Sequence, residues 1–302
     1  MIPQAVALRA WAAGQEPEAI SARLSGAALV DGRPVGTDWL SMLVLTPLAD
    51  PALLHDSLRS PRVLDLSGMG LAALPDALCD WRTLNTLQLS DNALTALPDD
   101  LGRLQALRGL ILWGNRLVSL PDSIGDLAQL VVLYAWDNAL TTLPHTIGGM
   151  TALEDLNLSN NALSRLPDAI GDLSALIWIN LWDNRLSAIP DAIGRLSRLQ
   201  TLRADGNALS HLPDSIGGLS GLEWLDVSDN ALSHLPAAIG DLSGLEGLFL
   251  AGNRLTTLPA GLFSLVRLRK LTLSGNLLSD PGTLLSRFPR ISEMDTDQNV
   301  PS

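Results

Sequence analysis

The chain has 302 residues, of which 47% are hydrophobic and only 17% are charged, and its formal net charge is −12. This composition excludes a largely disordered chain, and the negative balance argues against a nucleic-acid partner, which needs a basic surface. No apolar run approaches the roughly 18 residues required to cross a bilayer, so we expect no membrane-spanning segment.

Residues 1–60 are expected to form a largely helical N-terminal cap. Apolar residues at helix-like spacing run from Val6 to Leu24, and Leu40–Ser60 resembles a degraded copy of the unit that follows it. Such a segment would shield the apolar face of the first repeat. A helix-turn-helix is the alternative for Trp11–Leu24, although residues 1–60 contain more acidic than basic side chains, which is the wrong balance for DNA.

The start of the chain and its cysteine content bear on the compartment. Residues 1–15 lack the basic and apolar regions of a secretory signal peptide. Cys79 is the only cysteine, so the chain cannot form an internal disulfide. We therefore expect a cytoplasmic protein, with delivery into a host cell as a bacterial effector as the alternative.

Ten rows of 23 residues follow one another from Pro61 to Arg290 without an insertion or deletion. A representative row is LNTLQLSDNALTALPDDLGRLQA, residues 84–106. Leucine or another apolar residue recurs at row positions 1, 4, 6, 11 and 14, and asparagine occupies position 9 in every row except the first, which has Met69. A Leu-Pro or Ile-Pro step follows at positions 14 and 15, and the tenth row loses it. This period predicts a stack of identical structural units.

Each recurring residue type has a physical role in such a unit. The segment LxxLxL alternates over a few residues, which suits a short strand. The asparagine amide can satisfy backbone groups of neighbouring turns, and proline is expected to open a helical turn on the return segment. The glycines at position 19 are expected to end that helix. Aspartates that follow the proline should lie in its first turn, where the helix dipole favours them: Asp76, Asp99, Asp122, Asp168, Asp191 and Asp214.

The pattern LxxLxLxxNxLxxLPxxIGxLxx resembles the 23-residue class of leucine-rich repeats, which includes plant Ras-group-related intracellular proteins and bacterial effectors. The resemblance covers residues 61–290 and implies an α/β solenoid, or horseshoe. In that fold a parallel β-sheet lines the concave face, short helices or 3-10 turns lie on the convex side, and partners, usually proteins, bind the concave face. Residues 291–302 are expected to form a partial repeat and a tail.

Aromatic residues concentrate at the row positions expected to face the concave side. Positions 3, 5 and 7 hold seven of the twelve aromatic residues of the chain, all of them in rows three to nine, where chance would place about one or two. Half exposed, seven such rings would present about 500–900 Å² of surface, which matches or exceeds the largest apolar patch of a typical monomer. The rings are Trp113, Tyr134, Trp136, Trp178, Trp182, Trp224 and Phe249. We expect Trp113 and Trp136 to stack on each other.

Charged side chains lie among these rings. Asp91, Asp137, Asp183 and Asp229 precede the repeated asparagine, where turn chemistry explains them. Asp155, Asp205 and Asp226, with Arg203 near the middle, have no such explanation in the sequence and are assigned to the partner-binding surface. Rings and carboxylates together favour a cationic protein or peptide, bound through cation–π contacts and ion pairs. A glycan that stacks on the rings is the alternative ligand, and the sequence leaves the oligomeric state open.

The sequence does not predict an enzyme. His211 and His234 occupy position 13 of consecutive rows, but two ligands without a third make a poor metal site. Cys79 has no neighbouring histidine to activate it, and no phosphate-binding glycine loop is present. We therefore predict a binding scaffold with no catalytic residue, no metal and no cofactor.

Overall fold

The computed structural model describes residues 62–279, 288 and 291–297. The predicted cap and the helix-turn-helix alternative in residues 1–60 lie outside these ranges. Across the described ranges, no helix combines the length and apolarity needed to cross a membrane.

The described residues form eleven three-residue strands in one parallel sheet whose spatial order follows the chain order. The register never shifts: each residue pairs with the residue 23 positions later, as Leu64 does with Leu87 and Leu271 with Met294. One strand per row at a constant register is what the uninterrupted 23-residue period predicts. The strands are β1 (Val63–Asp65), β2 (Thr86–Gln88), β3 (Gly109–Ile111), β4 (Val132–Tyr134), β5 (Asp155–Asn157), β6 (Trp178–Asn180), β7 (Thr201–Arg203), β8 (Trp224–Asp226), β9 (Gly247–Phe249), β10 (Lys270–Thr272) and β11 (Glu293–Asp295).

The return segments of the described rows contain 3-10 helices of at most five residues and no α-helix. Most span five residues and pack against the corresponding helix of the next row. They are η1 (Asp76–Asp80), η2 (Leu101–Arg103), η3 (Asp122–Asp126), η4 (His145–Gly149), η5 (Asp168–Asp172), η6 (Asp191–Arg195), η7 (Asp214–Gly218), η8 (Ala237–Asp241) and η9 (Ala260–Ser264). The fold is thus a solenoid with a sheet on its concave side and 3-10 helices on its convex side.

A single continuous core runs between the sheet and the 3-10 helices. In row four, for example, Leu130, Leu133, Leu140 and Ile147 are fully buried. The same row positions are buried in the neighbouring rows, so each leucine packs against its counterparts above and below. A Leu→Ala substitution in such a core costs about 2–5 kcal/mol.

The predicted asparagine ladder is confirmed. In row six, Oδ1 of Asn184 accepts a hydrogen bond from the backbone N–H of Leu163 in the preceding row, at 3.0 Å. Its Nδ2 donates to the carbonyl oxygens of Leu158, Leu181 and Trp182. The same pattern repeats from Asn92 to Asn276, so one amide per row satisfies backbone groups of two rows.

Row position 8 adopts the left-handed backbone conformation, which confirms the turn explanation for the aspartates there. Asp91, Asp137, Asp183 and Asp229 have φ between 51° and 55°. The other described rows have Asn160 or glycine at this position, also with positive φ. Only glycine, asparagine and aspartate visit this region at low cost.

We expected the glycines at position 19 to end the helices, but they lie inside them. A Cβ on Gly171 would overlap the carbonyl oxygen of Ala192 in the next 3-10 helix, and one on Gly194 would overlap the carbonyl oxygen of Ser215. Glycine is therefore required by the close approach of successive convex helices. Where Cys79 replaces it in the first row, the next helix, η2, is shortened to three residues.

The prolines also differ from the expectation. Pro121 has φ −67° and ψ 150°, an extended backbone, and it precedes η3 instead of occupying its first turn. Its carbonyl oxygen accepts the N–H of Ile124 and so closes the first 3-10 turn. The aspartates lie in the first turn as predicted, except for Asp99, which precedes the late start of η2 at Leu101.

Candidate functional site

The site is built on the outward face of the strands. In β4, β5 and β8 the middle residue is buried, while the first and third residues are half-buried on the concave side. Row position 7, two residues after the strand's last outward residue, faces the same way because side chains alternate along an extended chain. Positions 3, 5 and 7 thus form three columns: position 5 is central, and positions 3 and 7 flank it.

Two indole rings stack in rows three and four, as predicted. The ring centroids of Trp113 and Trp136 are 4.7 Å apart, and the ring planes are inclined by 7°. This separation equals the strand spacing of a β-sheet, about 4.7–4.9 Å. The rungs themselves therefore hold the two rings at van der Waals contact.

Asp155, in the first position of β5, is bonded to Tyr134 of the neighbouring strand. The Tyr134 hydroxyl donates to Oδ2 of Asp155 at 2.9 Å. The second oxygen, Oδ1, is buried and accepts no hydrogen bond from the described residues. Burial raises the pKa of Asp155, and the bond from Tyr134 offsets this only in part. Burial followed by the bond to the carboxylate also raises the pKa of Tyr134.

Row six carries two tryptophans on opposite flanks of Asn180. Trp178 is half-buried, and Trp182 is the most exposed of the seven rings, at 44%. Asn180 is buried, and its Oδ1 accepts the backbone N–H of Trp182 at 3.0 Å. Asn180 therefore fixes the turn from which the Trp182 ring projects.

Row seven holds an ion pair. Arg203 Nη2 lies 3.2 Å from Oδ2 of Asp205, while Oδ1 of Asp205 is buried without a partner among the described residues. Burial is the main cause that raises the pKa of Asp205, and the carboxylate of Asp226 adds to it, while Arg203 lowers it. The carboxylate is thus held in an environment that would favour a further cationic partner.

Asp226, which the sequence assigned only to the binding surface, also has a structural role. Its Oδ1 accepts the backbone N–H of Ser228 at 3.1 Å. Asp65 and Asn157 form the same bond at position 5 of their rows, as Asn180 does. The recurrence of aspartate or asparagine two residues before position 7 was the signal that could have revealed this turn.

The last aromatic pair lies in rows eight and nine. Trp224 and Phe249 stack with ring centroids 6.0 Å apart and an interplanar angle of 17°. A Cβ on Gly247 would overlap the Trp224 ring, so the indole lies across this glycine and buries it. The small residue at position 3 of row nine therefore makes room for the ring of row eight.

The predicted residues thus form three aromatic groups separated by polar rows. The first group contains Trp113, Tyr134 and Trp136, the second Trp178 and Trp182, and the third Trp224 and Phe249. Asp155 lies in the row between the first two groups, and Arg203 and Asp205 lie in the row between the last two. The sequence predicted the columns correctly but not this grouping, which depends on the hydrogen bonds and ring orientations described above.

Other reactive side chains lie elsewhere. Cys79 is buried on the convex side; burial and then Asp100 raise its pKa to about 11, so it is a neutral thiol at pH 7. His211 and His234 are exposed, and each ring bonds its preceding serine. Within the described ranges no three potential metal ligands cluster. A cavity of about 460 Å³ lies away from the concave columns, between the return segments 142–145 and 165–168.

Family models match most of the repeat region. A model for the leucine-rich repeat region matches residues 41–162, and models for the leucine-rich repeat match residues 152–173, 198–255 and 222–278. No curated protein matches the chain.

Solved structures show the same architecture. The plant peptide hormone receptor RGFR1, in complex with RGF2, is 29% identical, with a TM-score of 0.60 over 78% of this chain and 47% of that chain. Toll in its complex with Spatzle, from Drosophila, is 25% identical, with a TM-score of 0.59 over 71% and 34%. An internalin of Listeria monocytogenes, 18% identical with a TM-score of 0.52 over 85% and 94%, shares the fold. The chain spans about half of RGFR1 and about a third of Toll. With its constant register, its asparagine ladder and these matches, the chain belongs to the leucine-rich-repeat proteins.

Proposed function

We propose that this protein is a non-enzymatic scaffold whose concave face binds a cationic protein or peptide. The observation that carries the proposal is the set of seven half-buried or exposed rings in the three concave columns, interleaved with carboxylates. Large rings whose faces remain accessible are typical of binding hot spots.

The electrostatics of the surface favour a cation. In rows four to eight, the concave columns and the adjoining position 8 carry six aspartates and one arginine. Asp155 and Asp205 each keep a buried carboxylate oxygen without a partner in the described part of the chain. A guanidinium or ammonium group would offset the charge of these half-buried carboxylates and lie against an indole face at the same time.

The relatives support a peptide or protein as the ligand. The peptide hormone receptor RGFR1 was solved in complex with RGF2, and Toll in complex with Spatzle. Both are described as complexes, and both share the fold at TM-scores near 0.6. This chain spans only part of either protein, so the likeness supports the class of ligand and not its identity.

Titration followed by tryptophan fluorescence tests the proposal. The full chain is titrated with a pool of basic, apolar 12-residue peptides, with a matched acidic pool, and with linear oligosaccharides. We expect saturable binding of the basic pool only, and at least a tenfold loss in the variant Trp136→Ala/Trp182→Ala. Val118→Ala, which truncates an exposed apolar side chain outside the three columns, is the matched control. An affinity that stays within a factor of two in the double variant would contradict the proposal, and binding of the oligosaccharides alone would replace it with a glycan-binding function.

The compartment is a separate proposal. We propose that the protein acts in a reducing cytoplasm, since its only cysteine is buried and cannot pair within the chain. Fractionation of the native cells, combined with a reporter for translocation into host cells, distinguishes this from delivery as an effector.

A further inference from the structure

Each aromatic group has one rung in a set of alternate rungs, in rows four, six and eight. Strands β4, β6 and β8, with the residue two positions after each, supply Trp136, Trp178, Trp182 and Trp224. We call these three rungs the aromatic rungs. Adjacent ring centroids are 4.7 Å apart where they are stacked on successive rungs, so alternate rungs are about 9.5 Å apart.

Each of the two intervening rungs carries a carboxylate that is bonded through only one of its oxygens. Asp155 is on β5, and Asp205 follows β7. Each has one buried oxygen that accepts no hydrogen bond from the described residues. These two carboxylates are also two rungs apart, so they alternate with the aromatic rungs at the same period of about 9.5 Å.

These side chains are arranged on both flanks of the central column. Trp136 and Asp205 lie on the position-7 flank, Asp155 and Trp224 lie on the position-3 flank, and Trp178 and Trp182 lie on either side of Asn180. A ligand that follows the central column, across the strands, therefore meets an indole or a carboxylate at every rung.

The spacing of about 9.5 Å between aromatic rungs matches the repeat of one peptide conformation. A polyproline II helix has three residues per turn and a rise of about 3.1 Å, so every third residue faces one side at intervals of about 9.3 Å. A β-strand repeats on one face every 6.6 Å or so and would leave the middle aromatic rung without a residue. Two turns of an α-helix span about 10.8 Å and would drift by more than 2 Å over the three rungs.

We propose that the ligand is a cationic peptide in the polyproline II conformation that lies along the central column, with residues i, i+3 and i+6 on the aromatic rungs. Basic residues between them reach Asp155 and Asp205. The polyproline II backbone makes no internal hydrogen bonds, so its free N–H groups are available to the carboxylates as well. This inference rests on the proposed peptide-binding function and adds a register to it.

Two peptides of equal composition test the register. The first contains four Leu-Pro-Arg repeats. The second keeps every proline in place but exchanges leucine and arginine in the second and fourth repeats, so that charge and proline spacing are unchanged while leucine no longer recurs every third residue. We expect the full chain to bind the first peptide at least tenfold more tightly, and one alanine inserted in the middle of that peptide to remove most of the advantage.

Protein variants link the effect to the named rungs. We expect Trp182→Ala, and separately Asp155→Asn/Asp205→Asn, to weaken binding of the repeating peptide at least tenfold. A Leu-Pro-Gln repeat has no cationic side chain to pair with these carboxylates. The affinity of Asp155→Asn/Asp205→Asn for it should therefore lie within twofold of the wild-type affinity. Asp99→Asn/Asp100→Asn, on the convex side, is the charge-matched control and should leave both affinities unchanged. Thermal unfolding of each variant verifies that it is folded.

The outcomes separate the two proposals. If both peptides bind equally and both depend on Trp182, peptide binding stands and the polyproline II register is wrong. If neither peptide binds although the basic peptide pool does, peptide binding stands and the register is wrong. If the pool does not bind either, or if Trp136→Ala/Trp182→Ala leaves the peptide affinities unchanged, the peptide-binding function and the register are both wrong.

Discussion

At the scale of single residues, the asparagine ladder is the feature of the fold that we expect to tolerate substitution least. Asn184 forms four hydrogen bonds to backbone groups of two rows, and it is buried. A buried backbone group left without a partner costs about 1–3 kcal/mol. We therefore expect Asn184→Ala to lower the free energy of unfolding by about 3 kcal/mol or more, as measured by urea denaturation. Asn157→Ala, which loses bonds only to Ser159 on the concave surface, should cost about 1 kcal/mol, and equal losses would contradict this account.

A second residue-scale prediction concerns Asp205. Burial raises its pKa, so the folded protein binds this proton more tightly than the unfolded chain does. The free energy of unfolding therefore falls as the pH rises from about 3.9, the ordinary pKa of aspartate, to the raised pKa of Asp205 in the folded protein. We expect Asp205→Asn to be more stable than the wild type at pH 7, with a difference that shrinks toward pH 4. Urea denaturation across this range measures it.

The control for this prediction is Asp183→Asn. It removes one exposed carboxylate at a position whose left-handed backbone asparagine also adopts. A gain in stability at pH 7 as large as that of Asp205→Asn would show that net charge, and not burial, is responsible.

The role of a residue could be predicted from the sequence wherever the same backbone conformation or backbone hydrogen bond repeats in every row. Asparagine at position 9 and aspartate or glycine at position 8 are such cases. The bond from Tyr134 to Asp155 and the ion pair of Arg203 with Asp205 occur once each. A pattern cannot predict them, because they depend on side-chain rotamers and on the residues that happen to neighbour them.

At the scale of elements, successive five-residue 3-10 helices on the convex side are packed so closely that glycine is needed where they meet. A Cβ on Gly171 would overlap the carbonyl oxygen of Ala192 in the next helix, and overpacking of this kind costs about 1–3 kcal/mol. We expect Gly171→Ala to lower the free energy of unfolding by that amount. Gly109→Ala is the matched control, because the nearest atom to its Cβ would be Thr86 Cγ2, at an ordinary 3.4 Å. A neutral Gly171→Ala would mean that the helices can separate without loss.

The convex helices show why the expected roles of proline and glycine were wrong. Proline and glycine were assigned to the start and end of an ordinary helix, whereas the return segments are five-residue 3-10 helices. With only 23 residues per turn of the solenoid, the convex side has room for little more. Proline therefore serves as the extended residue before the helix, and glycine serves the contact between rows.

At the scale of the whole molecule, the constant register makes the rows interchangeable. Removing residues 153–175, one complete row, brings row four against row six with every column preserved. We expect this variant to fold cooperatively, with a melting temperature lower by a few degrees, because a solenoid loses one repeat and keeps all its types of interface. Circular dichroism during heating measures the transition.

The matched control removes residues 153–174, one residue fewer. The strands after the deletion can then pair only with inward and outward side chains exchanged, or with a bulge. We expect a much less stable or non-cooperative protein, and two deletions of equal stability would contradict the importance of the register.

The uninterrupted register also has a consequence for how the gene can change. A recombination event that duplicates or deletes one repeat's worth of codons in frame leaves every interface of the protein intact. Such an event moves the indoles and carboxylates on one side of the break by one rung relative to those on the other. New ligand preferences can therefore arise in a single genetic step, before any point mutation, while the leucine core and the asparagine ladder keep the intermediate folded.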